Sequence, residues 1–301
     1  MLAFESVIAL FLIVLTGYAA RKTGLIEEKG LRTLTSLVLF IATPAIAIEK
    51  MQREPTAELI RDLMVTFFLG TAIMLVCGAV GYLLFKGAQN HRRMAAAHLC
   101  MLSNCGFMGY PVVLALLGED AMILAVMFNA SFNVLAWTIG VLLLNSGRKI
   151  SLRKVLLTPA LIGSALGLIF FLARIKLPAI LHDPMETLGS LTTPLSMLVI
   201  GARMVGQSPR GFIDRRLWLL SGLRLIVFPA ATFYIAGWIG APTAVQIVVT
   251  LLVAMPNATV SAMQAEHYGT DGSFATNSVA LSTALSMLTI PLLCSVLGLG
   301  T

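Results

Sequence analysis

Two helix-breaking motifs inside apolar runs constrain this 301-residue chain more than any other feature. Residues 103–111 read Ser-Asn-Cys-Gly-Phe-Met-Gly-Tyr-Pro, and Met255-Pro256-Asn257-Ala258 interrupts another apolar run about 151 positions further on. Gly and Pro at mid-membrane depth free backbone N–H and C=O groups that lipid cannot satisfy. Such breaks survive only where they are buried in protein or line a watery cavity. A matching pair in two halves of a chain is the best sequence-level pointer to the binding site of a secondary transporter.

The composition is that of a membrane-spanning chain. Charged residues make up 12% and hydrophobic residues 58%, with a mean hydropathy of +0.91, whereas a soluble domain carries about 25% charged residues. No basic residue precedes the run Val7–Ala20, and Arg21 and Lys22 follow it. That order is the reverse of a cleaved signal peptide, so a first permanent helix is expected. Cys77, Cys100, Cys105 and Cys294 all fall in apolar segments without a CxxC pair, which predicts reduced core residues.

At roughly 20 apolar residues per span, ten spans are predicted: 4–20, 31–49, 62–85, 94–117, 121–144, 155–173, 187–206, 216–239, 244–268 and 272–297. With the N-terminus outside, the inner loops hold Arg21, Lys22, Lys29, Arg32, Lys86, Arg92, Arg93, Arg148, Lys149, Arg153, Lys154, Arg203, Arg210, Arg215 and Arg216. The outer loops hold Lys50, Arg53, Arg61, Arg174 and Lys176. This bias predicts that both termini lie outside. It also accounts for the net charge of +7 without a nucleic-acid partner.

The offset that relates the breaks also aligns Gly118-Glu119-Asp120 with Gly269-Thr270-Asp271 and Thr138-Ile139 with Thr289-Ile290. Pro44 falls one position out of register with Pro194. Residues 1–150 and 151–301 would each hold five helices. An odd number turns the second half over, which makes the repeat inverted.

Gly106 and Gly109 permit backbone angles other residues avoid, and Pro111 suits the first turn of a restarting helix. Unpaired N–H groups and the positive end of the helix dipole suit a carboxylate there. Asn104 and Asn257 add amides, and both would face one cavity if the breaks cross. The competing reading is a structural kink in which each Asn serves freed backbone groups. Arg224, deep in the eighth span, should face the interior; it would pair with carbonyls of a broken helix, balance an anion, or snorkel. His98 could couple a proton to transport or be a satisfied core histidine. Asn129, Asn133, Thr276 and Asn277 would bond between helices, and Glu49, Glu266 and His267 read as interfacial. The sequence holds no GxxxxGK loop, HExxH pair or GxSxG elbow, so an enzyme is not expected.

The stretch Ser103–Pro111 with Leu114-Ala-Leu-Leu-Gly-Glu119, and Met255-Pro-Asn257 running on to Ala265-Glu-His-Tyr-Gly269, resemble the two signatures of bacterial members of the auxin efflux carrier family. The resemblance covers the whole chain. It implies a ten-helix, all-α fold akin to bile acid–sodium symporters, with helices 1, 2, 6 and 7 as scaffold and 3–5 and 8–10 as transport domain. Broken helices 4 and 9 would cross beside the substrate. Some plant members carry a long hydrophilic loop, and here the central connection, near 145–154, is short. Bacterial relatives are associated with malonate or malate rather than necessarily auxin.

The reading is a secondary carrier of a small organic anion, working by an elevator movement in a bacterial inner membrane. Substrate-binding residues would be Asn104, Gly106, Gly109, Tyr110, Asn257 and Ala258, with Pro111 and Pro256 fixing the breaks and Arg224 or His98 in support. No cofactor or metal is expected; H+ or Na+ coupling and uniport stay open. Expected partners are the lipid bilayer, the anion and a second copy through the scaffold helices. A passive channel or a non-transporting sensor on the same fold are the rival readings.

Overall fold

The computed structural model describes residues 2–144, 159–206, 212–268 and 270–298. Arg148, Lys149, Arg153, Lys154, Arg210 and Gly269, used above, lie outside them. The described residues are helical and connecting segments, without a β-strand; one isolated antiparallel bridge joins Ser103 to Asn257.

Among the described residues, five helical segments are long and apolar enough to cross a bilayer: Glu28–Lys50, Ala57–Leu84, Glu119–Leu144, Arg215–Trp238 and Gly272–Val296. Cys105–Leu117, Leu161–Leu172 and Thr243–Val253 are shorter apolar helices. Helix α1 (Leu2–Lys22) exposes Leu12 and Leu15, and Leu83, Ile226, Leu288 and Val296 are similarly bare. In water this would be an aggregation surface; in lipid it costs nothing. Trp218 and Trp238 are both exposed at opposite ends of one segment. Their twenty-residue separation corresponds to about 30 Å of helix, the hydrocarbon thickness, so the two rings can sit at opposite interfaces.

Several spans predicted as continuous are interrupted. Helix α2 (Glu28–Leu37) passes into α3 (Thr43–Lys50) through a π-turn at Val38–Ala42, just before Pro44. The same pairing recurs before Pro111 (π-turn Cys105–Gly109) and before Pro229 (π-turn Leu223–Val227). Proline has no N–H and its ring crowds the carbonyl four residues back. Widening the preceding turn, seen in the Thr43 N–H to Val38 O and Phe228 N–H to Leu223 O bonds, relieves that clash without breaking the helix.

Helix α4 (Ala57–Leu84) leads into the first broken segment, α5 (Asn90–Met101) and α6 (Tyr110–Leu117). Next come α7 (Met122–Trp137), α8 (Ile139–Leu144), α9 (Pro159–Leu172), α10 (Ala179–Ser190) and α11 (Thr192–Arg203). Helices α12 (Arg215–Gly222) and α13 (Phe228–Trp238) form one segment. The second broken segment is α14 (Thr243–Val253) and α15 (Thr259–His267), followed by α16 (Gly272–Val296).

Packing sorts these helices into two groups. In one, α1 lies on α11, and α9 and α10 lie on α3. Glycines bring the backbones together: Gly17 meets Leu198, Gly201 meets Val14, Gly163 meets Pro44 and Gly167 meets Ala47. Close approach through small residues suits a bilayer, where apolar burial alone gives helices no reason to associate. In the other group α4 packs on α5 and α7, α13 on α14, and α16 on α12 and α15. A Cβ at Gly201 would collide with the Val14 carbonyl oxygen. Gly201→Ala should therefore push α1 from α11 and cost about 1–3 kcal/mol, read as a lower thermal midpoint in detergent. An unchanged midpoint would show that the α1–α11 contact adapts.

The loops form two sets. Arg92 bonds Asp214 (3.1 Å) and Asp271 (2.8 Å), and Arg21 bonds Glu28 (2.8 Å), on one face. On the other, Lys50 meets Glu49 and Glu119, Arg53 meets Asp120 (2.7 Å), and Lys176 meets Glu54. Among the described residues no ion pair joins the two sets.

Candidate functional site

Helix α5 stops at Met101 because Leu102 turns extended (φ −106°, ψ 117°). Helix α14 stops at Val253, two residues before Met255, which as the residue preceding a proline is disfavoured in helical conformation. The two extended pieces cross and pair. Asn104 N–H donates to Pro256 O at 2.8 Å, and Ala258 N–H donates to Leu102 O at 3.2 Å. Each break thus satisfies backbone groups the other leaves open, as burial at membrane depth requires.

Arg224 secures the crossing. Its side chain is 1% exposed; Nε donates to Met255 O (3.1 Å) and Nη1 to Cys100 O (2.9 Å). Both carbonyls lie at helix C-terminal ends, where the dipole leaves negative partial charge, so one guanidinium neutralises two helix ends. Asn257 is equally committed to the protein. Its Nδ2 donates to Leu99 O (2.9 Å), its Oδ1 accepts from Ser278 Oγ (3.2 Å), and its backbone N–H donates to Ser282 Oγ (3.1 Å).

Beyond the crossing, two helices restart. Among the described residues, the N–H groups of Gly106 and Phe107 at one start, and Thr259 and Val260 at the other, have no backbone acceptor outside their own helices, as the first turn of a helix leaves its donors; the Gly106 N–H lies against the Cys105 thiol. All four residues line one cavity of about 320 Å³. Asn104, Asn129, Asn133, Thr35 and Thr43 contribute polar side chains to it, and Phe40, Phe132 and Trp137 supply aromatic walls. Asn104 Nδ2 reaches Thr259 Oγ1 at 3.5 Å, and Cys105 Sγ donates to Asn129 Oδ1 at 3.3 Å. No ionisable acid or base is among the described lining residues. The helix starts turn positive dipole ends toward it, which suits an anion held by hydrogen bonds and flanked by apolar surface.

The predicted residues thus separate. Asn104, Gly106 and Ala258 line the cavity. Asn257 lies behind it, and the Ala258 N–H is spent on Leu102. The Gly109 N–H bonds Asn104 O (3.0 Å), and the Gly109 Cα packs against Leu252. Tyr110 is fully buried and outside the cavity lining; Pro111 is in the first turn of α6, and Pro256 lends its carbonyl to the crossing. His98 is buried beside Gln264, with Nε2 and Oε1 2.9 Å apart. Gln264 Nε2 donates to Ala136 O at 3.3 Å, which turns its amide oxygen to the ring. Asn129, expected to bond between helices, does so with Cys105, while Asn133 bonds Asn129 O within its own helix; both also line the cavity, and their spacing of four on one apolar helix was the available signal for that.

A second hollow, about 260 Å³, opens on the Arg21 face between the ends of α1, α2, α11, α15 and α16. Arg21, Glu28, Arg203, Glu266 and Thr276 line it, and it shares Thr259 and Met263 with the crossing cavity.

Residues 2–152 and 146–294 match a family described as membrane transport protein. The chain is 25% identical over 307 residues to an uncharacterized transporter of Methanocaldococcus jannaschii, covering 97% of this chain and 98% of that one. It is 26% identical over 297 residues to an uncharacterized transporter of Methanothermobacter thermautotrophicus, covering 96% of each. A Rhizobium meliloti protein named "Putative malonate transporter" is 22% identical over 303 residues, covering 94% of this chain and 92% of that one.

Proposed function

Because the chain belongs to the membrane transport protein family, we propose that its crossed helix breaks bind a small organic anion and carry it across the bilayer by alternating access. It is a multi-pass membrane transporter and not an enzyme. The observation that carries the anion reading is the convergence of two helix starts, with their open N–H groups, on one cavity. Carboxylates such as malonate, malate or an auxin-like acid match that donor set and the aromatic wall beside it.

We count the helices, joined across their kinks and with each broken segment taken once, as ten passes between the two loop faces. We read them as inverted five-helix repeats spanning 1–150 and 151–301. The group containing α1, α3, α9, α10 and α11 is the scaffold. The group containing the crossing slides against it as an elevator, with the cavity wall of Thr35, Phe40 and Thr43 on the scaffold side. By the excess of basic residues the Arg92 face is cytoplasmic and both termini are outside, as in a carrier of the bacterial inner membrane.

The test is thermal unfolding of the purified protein against mono- and dicarboxylates, indole-3-acetate included, at two pH values with and without Na+. A ligand that binds only the folded state raises the midpoint with concentration. We expect at least one carboxylate to do so and to show saturable flux in proteoliposomes. Non-saturating flux would indicate a channel, and binding without flux a sensor.

A further inference from the structure

A third hollow, of about 300 Å³, lies between the two helix groups toward the Lys50 face. The end of α3 and α9 form one wall, and α4 and α7 form the other. The lining is apolar, with Ser164 the single hydroxyl among the described lining residues. On α9 it runs from Leu161 through Ala165 and Leu168 to Leu172, a spacing that keeps to one face of a helix. That stretch is about 16 Å long, close to the depth of one leaflet at about 15 Å of hydrocarbon. On α4 the lining runs from Ile60 through Met64 to Phe68. Ile60 follows the loop that holds Arg53, and Leu172 precedes Arg174 and Lys176. The hollow is therefore a slot that starts near the headgroups of the Lys50 side and ends near the bilayer midplane.

We propose that this slot is a binding site for one acyl chain of a membrane lipid in the leaflet on the Lys50 side. Along its mouth Met64, Phe68 and Leu172 are at least half-exposed, and on a membrane-spanning chain that exposure is to lipid tails. Its floor, with Met51, Leu63, Met127 and Phe171, is buried. The apolar belt of the protein thus continues into the slot without a break. Water is a poor occupant, because a buried water needs several polar partners. An acyl chain gains little by exchanging one apolar phase for another; what holds it is contact with walls that would otherwise face no atoms. Met51, Met64 and Met127 supply unbranched thioether side chains that adapt to the shape of an occupant. No described residue lines both this slot and the crossing cavity, so the lipid chain and the anion occupy separate places.

The experiment places the full chain in phosphatidylcholine vesicles that contain a small share of the same lipid with a photoactivatable diazirine on its acyl chain. Irradiation, digestion and mass spectrometry then locate the adducts. Val76 and Leu288, exposed and outside the slot, report ordinary contact with surrounding lipid. We expect adducts on the buried floor as well, at Leu63, Met127 or Phe171. Ala130→Phe puts a ring into the slot from α7 and should abolish the floor adducts while keeping those at Val76 and Leu288. Ala165→Phe, from the opposite wall, should do the same. Labelling of Val76 and Leu288 with none on the floor overturns the site, as do floor adducts that survive in both filled variants. Should neither variant fold, the wild-type pattern decides alone. Disulfide-linked dimers of a Phe68→Cys variant, in place of floor adducts, would seat a second copy in the slot and overturn it equally. No carboxylate enters this assay, so its failure leaves the carrier reading intact.

Discussion

Arg224→Gln should yield little folded protein, and what folds should melt far below wild type. The guanidinium makes two charge-assisted hydrogen bonds, to Met255 O and Cys100 O, while itself buried. Its loss uncovers two carbonyls at helix ends that have no water to turn to. At about 1.5–3 kcal/mol for each bond to a charged group, the expected cost is about 3–6 kcal/mol, a large part of a typical folding free energy. Arg224→Lys keeps the charge but not the fork and should recover one contact at most. Thermal unfolding in detergent, with the folded fraction measured by size-exclusion chromatography, is the check. A normal midpoint accompanied by weakened carboxylate binding would instead make Arg224 the anion's counter-charge.

Asn104→Ala and Asn257→Ala should fail in opposite ways. Asn104 presents its amide to the cavity, so its removal should weaken anion binding about tenfold to a hundredfold and leave the midpoint nearly unchanged. Asn257 ties Leu99 to Ser278. Its loss orphans a buried carbonyl and should cost about 2–4 kcal/mol before binding is affected. Ligand titration of the folded fraction beside melting curves separates the two effects. Equal losses of fold and binding in both variants would return the crossing to a purely structural kink.

The location of the crossing was legible in the sequence because Gly, Pro and Asn cannot sit idly in lipid. Which amide faces the cavity was not, for a geometric reason. In extended backbone successive side chains point to opposite sides, so Ser103 and Asn257 share the bridge while Asn104 and Ala258 fall on its other side. A reader of residue types sees two equivalent asparagines; only the register of the bridge separates them. The open N–H groups were displaced similarly. Gly109 and Ala258 were expected to bind the anion, but the π-turn takes the N–H of the first and the bridge that of the second, which leaves those of Gly106, Phe107, Thr259 and Val260. The prolines at 44 and 229 were plain to see, yet not the π-turns that absorb them.

The ion pairs of Lys50 with Glu119 and Arg53 with Asp120 tie the α3 end of one helix group to the loop before α7 in the other. On the opposite face the Arg21 and Arg92 pairs stay within their own groups. A carrier whose groups slide past each other must rupture the first set and can keep the second. With Glu119 and Asp120 well exposed, that set contributes only about 1 kcal/mol. This is still enough to favour one resting orientation about fivefold. Salt on that side of the membrane alone would erase the preference, so the turnover of such a molecule is tuned by the ionic composition of its surroundings, independently of what it carries.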